Sequence, residues 1–227
     1  MKIVVATRTR NEERNIYRFC LGYRWANKIL IADGGSDDET ISIASSFRNV
    51  EVRCFNERVE RNGYWRNPHG KHINFLINWA KEENVDWVIL DDADCFPTRD
   101  LRLNSRTLFD RAEASGAKAI FLHRLYIYLD KLYCPEMNKP GQSLWAWRLD
   151  SGIVADERNP WDHVILNVPK ERYLLDHPNS CLHRYYPDEE TIERKLKFYR
   201  ESGQHPSMLH PLQTQGVMAE LLEWMRE

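Results

Sequence analysis

The stretch DWVILDDADCFP, Asp86 to Pro97, places three acids within four residues at the end of an apolar run. Val88, Ile89 and Leu90 read as a strand buried in a sheet, and Pro97 closes the extended segment soon afterwards. Carboxylates crowded at a strand's end repel one another, so they require strong solvation, a basic partner or a bound cation. In extended chain, residues two apart point the same way, so Asp92 and Asp94 can face one ligand while Asp91 points elsewhere. Two hard oxygen donors of this kind suit Mg²⁺ or Mn²⁺, which in turn bridges the oxygens of a diphosphate.

Two other polar clusters directly follow apolar runs. In DGGSDDET, Gly34 and Gly35 permit a sharp turn and Ser36 can cap a helix whose first turn holds Asp37, Asp38 and Glu39. Asp33 closes the preceding strand, where an acid can reach a nucleoside's base or ribose. TRTRNEE adds Thr7, Arg8, Thr9 and Arg10 at the end of the first apolar run.

The elements that must position these groups alternate through the first hundred residues. KIVVAT, KILIAD, VEVRCF and DWVILDD are short and β-branched, and helical segments of about 10 to 15 residues separate them. This predicts an α/β fold with a parallel, doubly wound sheet, whose ligands sit at the carboxyl ends of the strands. After Pro97 the spacing predicts a helix over TRDLRLNSRTLFDRAEAS, then strands AKAIFLHRLYIYL and SLWAWRL as mixed additions to the same sheet. Residues 156–177 read as loop, and two terminal helices are expected over PDEETIERKLKFYRESG and QTQGVMAELLEWMRE. No repeat or linker divides the chain, so residues 1–227 are expected to form one domain, with a ligand-binding half at 1–97 and a second half at 98–227.

The three motifs, in this order, resemble the inverting family 2 glycosyltransferases. The resemblance implies the GT-A fold, a Rossmann-like nucleotide-diphospho-sugar transferase fold, over most of the chain. In that family a first strand enters an Asn-Glu-Glu turn, matched by TRTRNEERNI; a second ends in Asp-Asp-Gly-Ser-x-Asp-x-Thr, matched by DGGSDDET; a fourth ends in Asp-x-Asp, matched by DDADCFP. By the resemblance, Thr7, Arg8, Thr9 and Asp33 line the nucleoside pocket, and Asp92 and Asp94 hold the sugar nucleotide through Mn²⁺ or Mg²⁺. The donor implied is a nucleoside-diphosphate sugar, a UDP-sugar first and a GDP-sugar second. One departure bears on the base: the family's second acid after strand two is Gly34 here. NPHGKHINFLINWA is similar to the family segment in which a basic residue approaches the diphosphate, so Lys71 or His72 is a candidate to neutralise phosphate charge. The resemblance also implies His183, in SCLHRYYPDEE, as a third metal ligand, which tilts the metal toward Mn²⁺, with Arg184 assisting the phosphates.

An inverting transferase needs a carboxylate to take the acceptor's hydroxyl proton and positive charge to stabilise the departing nucleoside diphosphate. Asp162 is the candidate base, with Asp156 and Glu157 as alternatives, because NPWDHVI sets it beside Trp161, a platform for a sugar face. Trp145 and Trp147 are further candidates for binding a glycan or other hydroxyl acceptor. Related enzymes carry a His-Glu pair near this point, whereas here the order is Asp162-His163.

Bulk composition narrows the partners. A net charge of −2 gives no global attraction to nucleic acid or anionic lipid, and no apolar window reaches the ~18 residues of a membrane span. Five scattered cysteines without a Cys-x-x-Cys pair suit a reducing, cytoplasmic setting. Two other functions fit the layout: a sugar-nucleotide-forming nucleotidylyltransferase, although ATRTRNEE lacks the glycines of its phosphate loop, and a non-catalytic nucleotide- or glycan-binding protein.

Overall fold

The computed structural model of the chain describes residues 1–61, 64–128, 131–134, 142–157, 164–165, 168–175, 181–186 and 210–212, with side chains at 1–58, 67–122, 143–157 and 168–175. Its first half runs β1 (Ile3–Thr9), α1 (Glu13–Gly22), β2 (Lys28–Asp33), α2 (Thr40–Ser45), β3 (Val50–Cys54), the pair β4 (Val59–Arg61) and β5 (Tyr64–Arg66), α3 (His69–Glu82), β6 (Trp87–Leu90) and β7 (Cys95–Pro97). Then come α4 (Arg99–Ser115), β8 (Ala119–Tyr128), β9 (Lys131–Cys134), β10 (Gln142–Arg148), β11 (Val154–Ala155), β12 (Val164–Ile165), β13 (Tyr173–Leu175), β14 (Cys181–Tyr186) and β15 (His210–Leu212).

The main sheet is ordered β15-β9-β8-β10-β6-β1-β2-β3, with β13 and β14 on β8 and β7 on β14. β6, β1, β2 and β3 are parallel, and β10 is antiparallel to β6. The expected parallel centre with mixed additions is therefore present. From β1 the chain moves outward to β2 and β3, then returns to the other side of β1 as β6. That reversal opens a crevice beyond the carboxyl ends of β1 and β6.

Strand alternation explains why the centre is buried on both faces. Ile3, Val5, Ile29, Ile31 and Ile89 pack with Ile16 and Phe19 of α1 and Leu108 and Phe109 of α4. Val4, Ala6, Leu30, Ala32 and Val88 point to the other face, against Ile73, Leu76, Ile77 and Ala80 of α3. α4 is bounded by clear signals: Thr98 Oγ1 accepts the Leu101 N–H at 3.2 Å at its start, and Gly116, with φ of 67°, ends it.

Several elements differ from the sequence reading. The helix expected across SDDETISIASSF is only the single turn and a half of α2, because the acids before it are engaged in loop contacts. The β4/β5 hairpin lies where the sequence reading assigned no element, and β11 to β14 break up the expected loop at 156–177 and its flanks. The stretches expected to form two terminal helices lie outside the described residues.

Trp145 and Trp147 were expected on an acceptor surface. Both are instead fully buried, on opposite faces of the sheet. The register of β10 against β8 slips between Leu144 and Ala146, so a bulge at Trp145 breaks the two-residue repeat that would have aligned the indoles. Trp145 Nε1 donates to the Tyr23 hydroxyl at 3.2 Å, and that hydroxyl donates to Asp91 Oδ2 at 2.7 Å. Burial and the Asp91 charge hold the Tyr23 phenol well above its ordinary range, so it is a permanent donor.

Removing that donor from a buried carboxylate predicts that Tyr23→Phe lowers unfolding free energy by about 1–3 kcal/mol. Exposed Tyr17→Phe should shift it by less than about 0.5 kcal/mol. Urea unfolding monitored by tryptophan fluorescence checks both, and equal effects would remove the network from the account.

Candidate active site

The carboxyl ends of β1, β2 and β6 bring the three motifs together. The first two are joined by a clasp of hydrogen bonds. Asn11, held at φ 56°, donates its backbone N–H to Ser36 Oγ at 2.9 Å and exchanges side-chain bonds with the Asp37 carboxylate and N–H at 2.8 and 3.0 Å. The Glu12 N–H donates to Thr40 Oγ1 at 2.7 Å, and the Glu13 N–H to Asp38 Oδ2 at 3.1 Å. Asp38 is partly desolvated, which favours its neutral form, but the bonds from Thr40 and Glu13 outweigh this and lower its pKa. The polar residues of TRTRNEE and DGGSDDET are thus largely structural, fixing one loop against the other.

Asp33 is fully buried at the end of β2. Its carboxylate accepts from Thr9 Oγ1 at 3.0 Å, from the N–H groups of Gly35 and Ser36 at 2.9 and 2.8 Å, and from the Ser36 hydroxyl. Those bonds shape the turn and leave Asp33 engaged within it. Thr7 and Thr9 are buried too, Thr9 as the donor to Asp33 and Thr7 bonding the Arg8 carbonyl at 3.3 Å.

β6 ends at Leu90 and the chain then turns, the Cys95 N–H donating to the Asp92 carbonyl at 2.8 Å, so a turn rather than the expected extended chain places Asp94. Asp91 is buried and faces Tyr23, whereas Asp92, half-buried, forms an ion pair with Arg8 at 3.2 Å. Asp94 is buried, and the Cys95 thiol lies 3.7 Å from its Oδ1. Asp92, Asp94 and Cys95 each bring one ligand atom within 4.8 Å of the others. Two carboxylates make this donor set fit a hard divalent cation, and the neighbouring sulfur favours Mn²⁺ over Mg²⁺. β14 runs antiparallel beside β7, setting His183 opposite Phe96 and Arg184 opposite Cys95. The backbone therefore carries both predicted residues to the acidic cap.

Other predicted groups are placed differently. His72 is buried, its Nε2 donates to the Ala32 carbonyl at 2.9 Å, and its ring stacks on Phe55 at 4.2 Å. Burial and the nearby Arg8 charge pull its pKa down to about 4, so it is neutral at pH 7 and cannot offset phosphate charge. Lys71 is exposed and pairs with Glu57 at 2.9 Å. Asp156 is half-buried and Glu157 exposed, on a segment fixed to α3: Asn74 bonds the Ala155 N–H and carbonyl at 2.8 and 3.1 Å and donates to Glu157 Oε1 at 2.8 Å. A Cβ at Gly70 would lie 2.7 Å from the Asp156 carbonyl, so only glycine allows this approach. Trp161 and Asp162 lie outside the described residues.

No family model and no curated protein sequence matches the chain. Solved structures do. Residues 1–349 of S. aureus TarS match with a TM-score of 0.55 at 15% identity, covering 87% of this chain and 64% of that one. The same TarS fragment in complex with UDP-GlcNAc gives 0.53 at 15% identity, over 88% and 64%. The chain has the GT-A fold. A Mycobacterium tuberculosis glucosyl-3-phosphoglycerate synthase, in complex with Mn²⁺, UDP and glucosyl-3-phosphoglycerate, gives 0.50 at 15% identity, over 93% and 87%. The chain spans less than two thirds of the TarS fragment, and no described helix is long and apolar enough to cross a membrane.

His72 generates a pH prediction. Its folded pKa lies below the ordinary 6.5, so the unfolded chain binds the proton first, and stability falls as pH drops from about 6.5 toward about 4. The full loss is up to about 3 kcal/mol. In His72→Gln the difference in unfolding free energy between pH 7.5 and 4.5 should be smaller by about that amount; an unchanged difference would assign the acid sensitivity to other groups.

Proposed function

We propose that the chain is a metal-dependent, inverting glycosyltransferase that moves a sugar from a nucleoside-diphosphate donor to a hydroxyl acceptor. The observation that carries this reading is the cluster of Asp92, Asp94 and Cys95 beside Arg8, at the mouth of the crevice where β1 and β6 diverge. Solved structures that share the fold supply a parallel, since one is a complex with UDP-GlcNAc and another with Mn²⁺ and UDP.

Asp92 and Asp94 would hold the divalent ion, with His183 as a further ligand from β14. When bound there, the ion supplies positive charge to the leaving diphosphate. Arg8 adds a fixed guanidinium beside Asp92, suited to the same developing charge. A carboxylate from the segment 156–162 takes the acceptor's proton, Asp162 being our first assignment and Asp156 and Glu157 the alternatives. Asn74 and Gly70 hold that segment's start on α3, which ties the base-bearing loop to the donor half.

Asp92→Ala and Asp94→Ala should each abolish Mn²⁺-dependent UDP binding in calorimetry without unfolding the protein, and His183→Ala should weaken Mn²⁺ binding. Parental binding by both aspartate variants would remove the metal site. Once a donor and acceptor are in hand, Asp162→Asn should slow transfer by roughly 10² to 10⁴ with donor affinity retained. A parental rate in Asp162→Asn with a dead Asp156→Asn or Glu157→Gln moves the base to that neighbour.

A further inference from the structure

β3 closes the main sheet at one end, and among the described residues no strand lies beyond it. Its pairing with β2 fixes which of its backbone groups are used. The Ile29 N–H donates to the Asn49 carbonyl and the Phe55 N–H to the Asp33 carbonyl, so the odd-numbered residues from 49 to 55 turn their backbone groups toward β2. The even-numbered residues direct theirs outward. Phe47 takes the Val50 N–H in the preceding turn, but among the described residues the Val50 carbonyl and both groups of Val52 and Cys54 have no backbone partner. Val50 and Val52 pack on the core, and the Arg53 guanidinium lies 4.1 Å over the Trp79 ring of α3, so both faces of the strand are covered. Yet every residue of β3 is half-buried or exposed, whereas β1 and β2 are buried almost throughout. The exposure belongs to the edge.

An open edge of this kind is a template for another strand, and proteins blunt it with proline, a bulge or like charges. β3 has an unbroken register with β2 and no proline, and its two charges, Glu51 and Arg53, are opposite in sign. That pattern is complementary to itself when a second copy runs the other way. In an antiparallel pair centred on Val52, the outward groups of the two Val52 residues meet, and Val50 of each copy lies opposite Cys54 of the other. Glu51 of each then faces Arg53 of the other. Lys28 already pairs with Glu51, and Glu82 with Arg53 at 2.7 Å, so the contact completes an alternating row of Lys28, Glu51, Arg53 and Glu82 across the two chains. Centring the pair on Glu51 or Arg53 sets like charges opposite each other, and centring it on Val50 or Cys54 leaves most of the strand beyond its partner's end.

We infer that β3 is a self-pairing edge and that the partner it takes is a second copy of this chain. The dimer is isologous, with its two-fold axis crossing the seam at Val52. The two sheets join into one, β6-β1-β2-β3 of one copy continuing as β3-β2-β1-β6 of the other. Because the paired strands run in opposite directions, the carboxyl ends of β1, β2 and β6 in the two copies face opposite ends of the joined sheet. Each acidic cap follows β6, three strands from the seam, so pairing leaves both crevices open.

Sedimentation velocity over a concentration series tests it. The parent should sediment as a dimer that dissociates on dilution. Val52→Pro removes an N–H that points away from β2, so the fold should persist by circular dichroism while the dissociation constant of the dimer rises at least about tenfold. Glu51→Arg and Arg53→Glu, each alone, set like charges opposite each other and should be monomers; mixed in equal amounts they restore both opposite-charge pairs and should form a heterodimer. A role confined to one chain gives no such rescue. Val50→Cys reports the register, because it lies opposite Cys54 of the other copy at about 5.5 Å between Cα atoms, within disulfide reach. It should give an oxidised dimer on non-reducing gels, and the same variant carrying Cys54→Ser should not. A parent that is monomeric at about 0.1 mM overturns the inference. So does a parental dissociation constant in folded Val52→Pro, which moves the interface elsewhere, and so does the absence of a heterodimer on mixing the folded charge variants. Should those variants fail to fold, the Val50→Cys cross-link still decides, and its absence overturns the pairing.

Discussion

Three carboxylates in four residues at the end of a buried strand form the constraint on which the structure turns. Part of their mutual repulsion is relieved by turning Asp91 and Asp92 to different partners. Asp91 goes inward to a tyrosine hydroxyl that is itself fixed by an indole N–H, and Asp92 goes outward to a guanidinium. The first arrangement demands Tyr23 from the end of α1 and Trp145 from β10, so the acidic cap is tied to both neighbouring layers of the fold. With Asp91 anchored, the following residues enter the crevice with little freedom. An inward anchor and an outward pair together turn an electrostatic liability into a preorganised carboxylate cluster.

The same division between frame and ligand-facing group recurs across the crevice. Asp33, Asp38, Ser36, Thr40 and Asn11 engage one another or backbone N–H groups, which keeps two exposed loops in a single conformation. Polar loops of this kind look like ligand sites because hydrogen-bonding residues are what both tasks require. Burial separates the two cases: a carboxylate fully enclosed by local donors has no lone pair to offer, whereas Arg8 and Asp92 keep part of their surface at the crevice.

Legibility in the sequence followed the range of the interactions. β1, β2 and β6 were readable because both faces are buried, which produces unbroken apolar runs; β3, a half-buried edge strand, was readable from its alternation, and α4 because its cap and terminal glycine are local. The clustering of Thr9, Asp33 and Asp92 at one sheet edge follows from the same pattern. What escaped depended on distant partners. Nothing near Trp145 announces the register slip that turns it from Trp147, and the stacking of His72 on Phe55 is set by the fold rather than by its basic neighbours. The β4/β5 hairpin did leave a signal, Asn62-Gly63 between VER and YWR, a pairing of turn and strand residues typical of a tight hairpin. The approach of Asn67 to Gly34, where a Cβ would lie 2.1 Å from Asn67 Oδ1, left one as well: Gly34, beside a second glycine that already supplied the turn, marks a close contact from elsewhere in the chain.

This difference in range bears on how the two halves of the chain are built. The first half rests on parallel strands, local caps and a loop clasp, all defined within the first hundred residues. The other side is assembled by long-range pairing: β14 must settle between β7 and β8 before His183 reaches the acidic cap, and Asn74 must grip Ala155 before the segment beginning at Asp156 is oriented. On the proposed transferase reading, a glycosyl donor needs the same diphosphate geometry whatever the acceptor, so a rigid, locally encoded half suits it. On that reading acceptor chemistry can change through the β11 to β13 region, whose contacts with the first half include the Asn74 clamp and the close approach at Gly70.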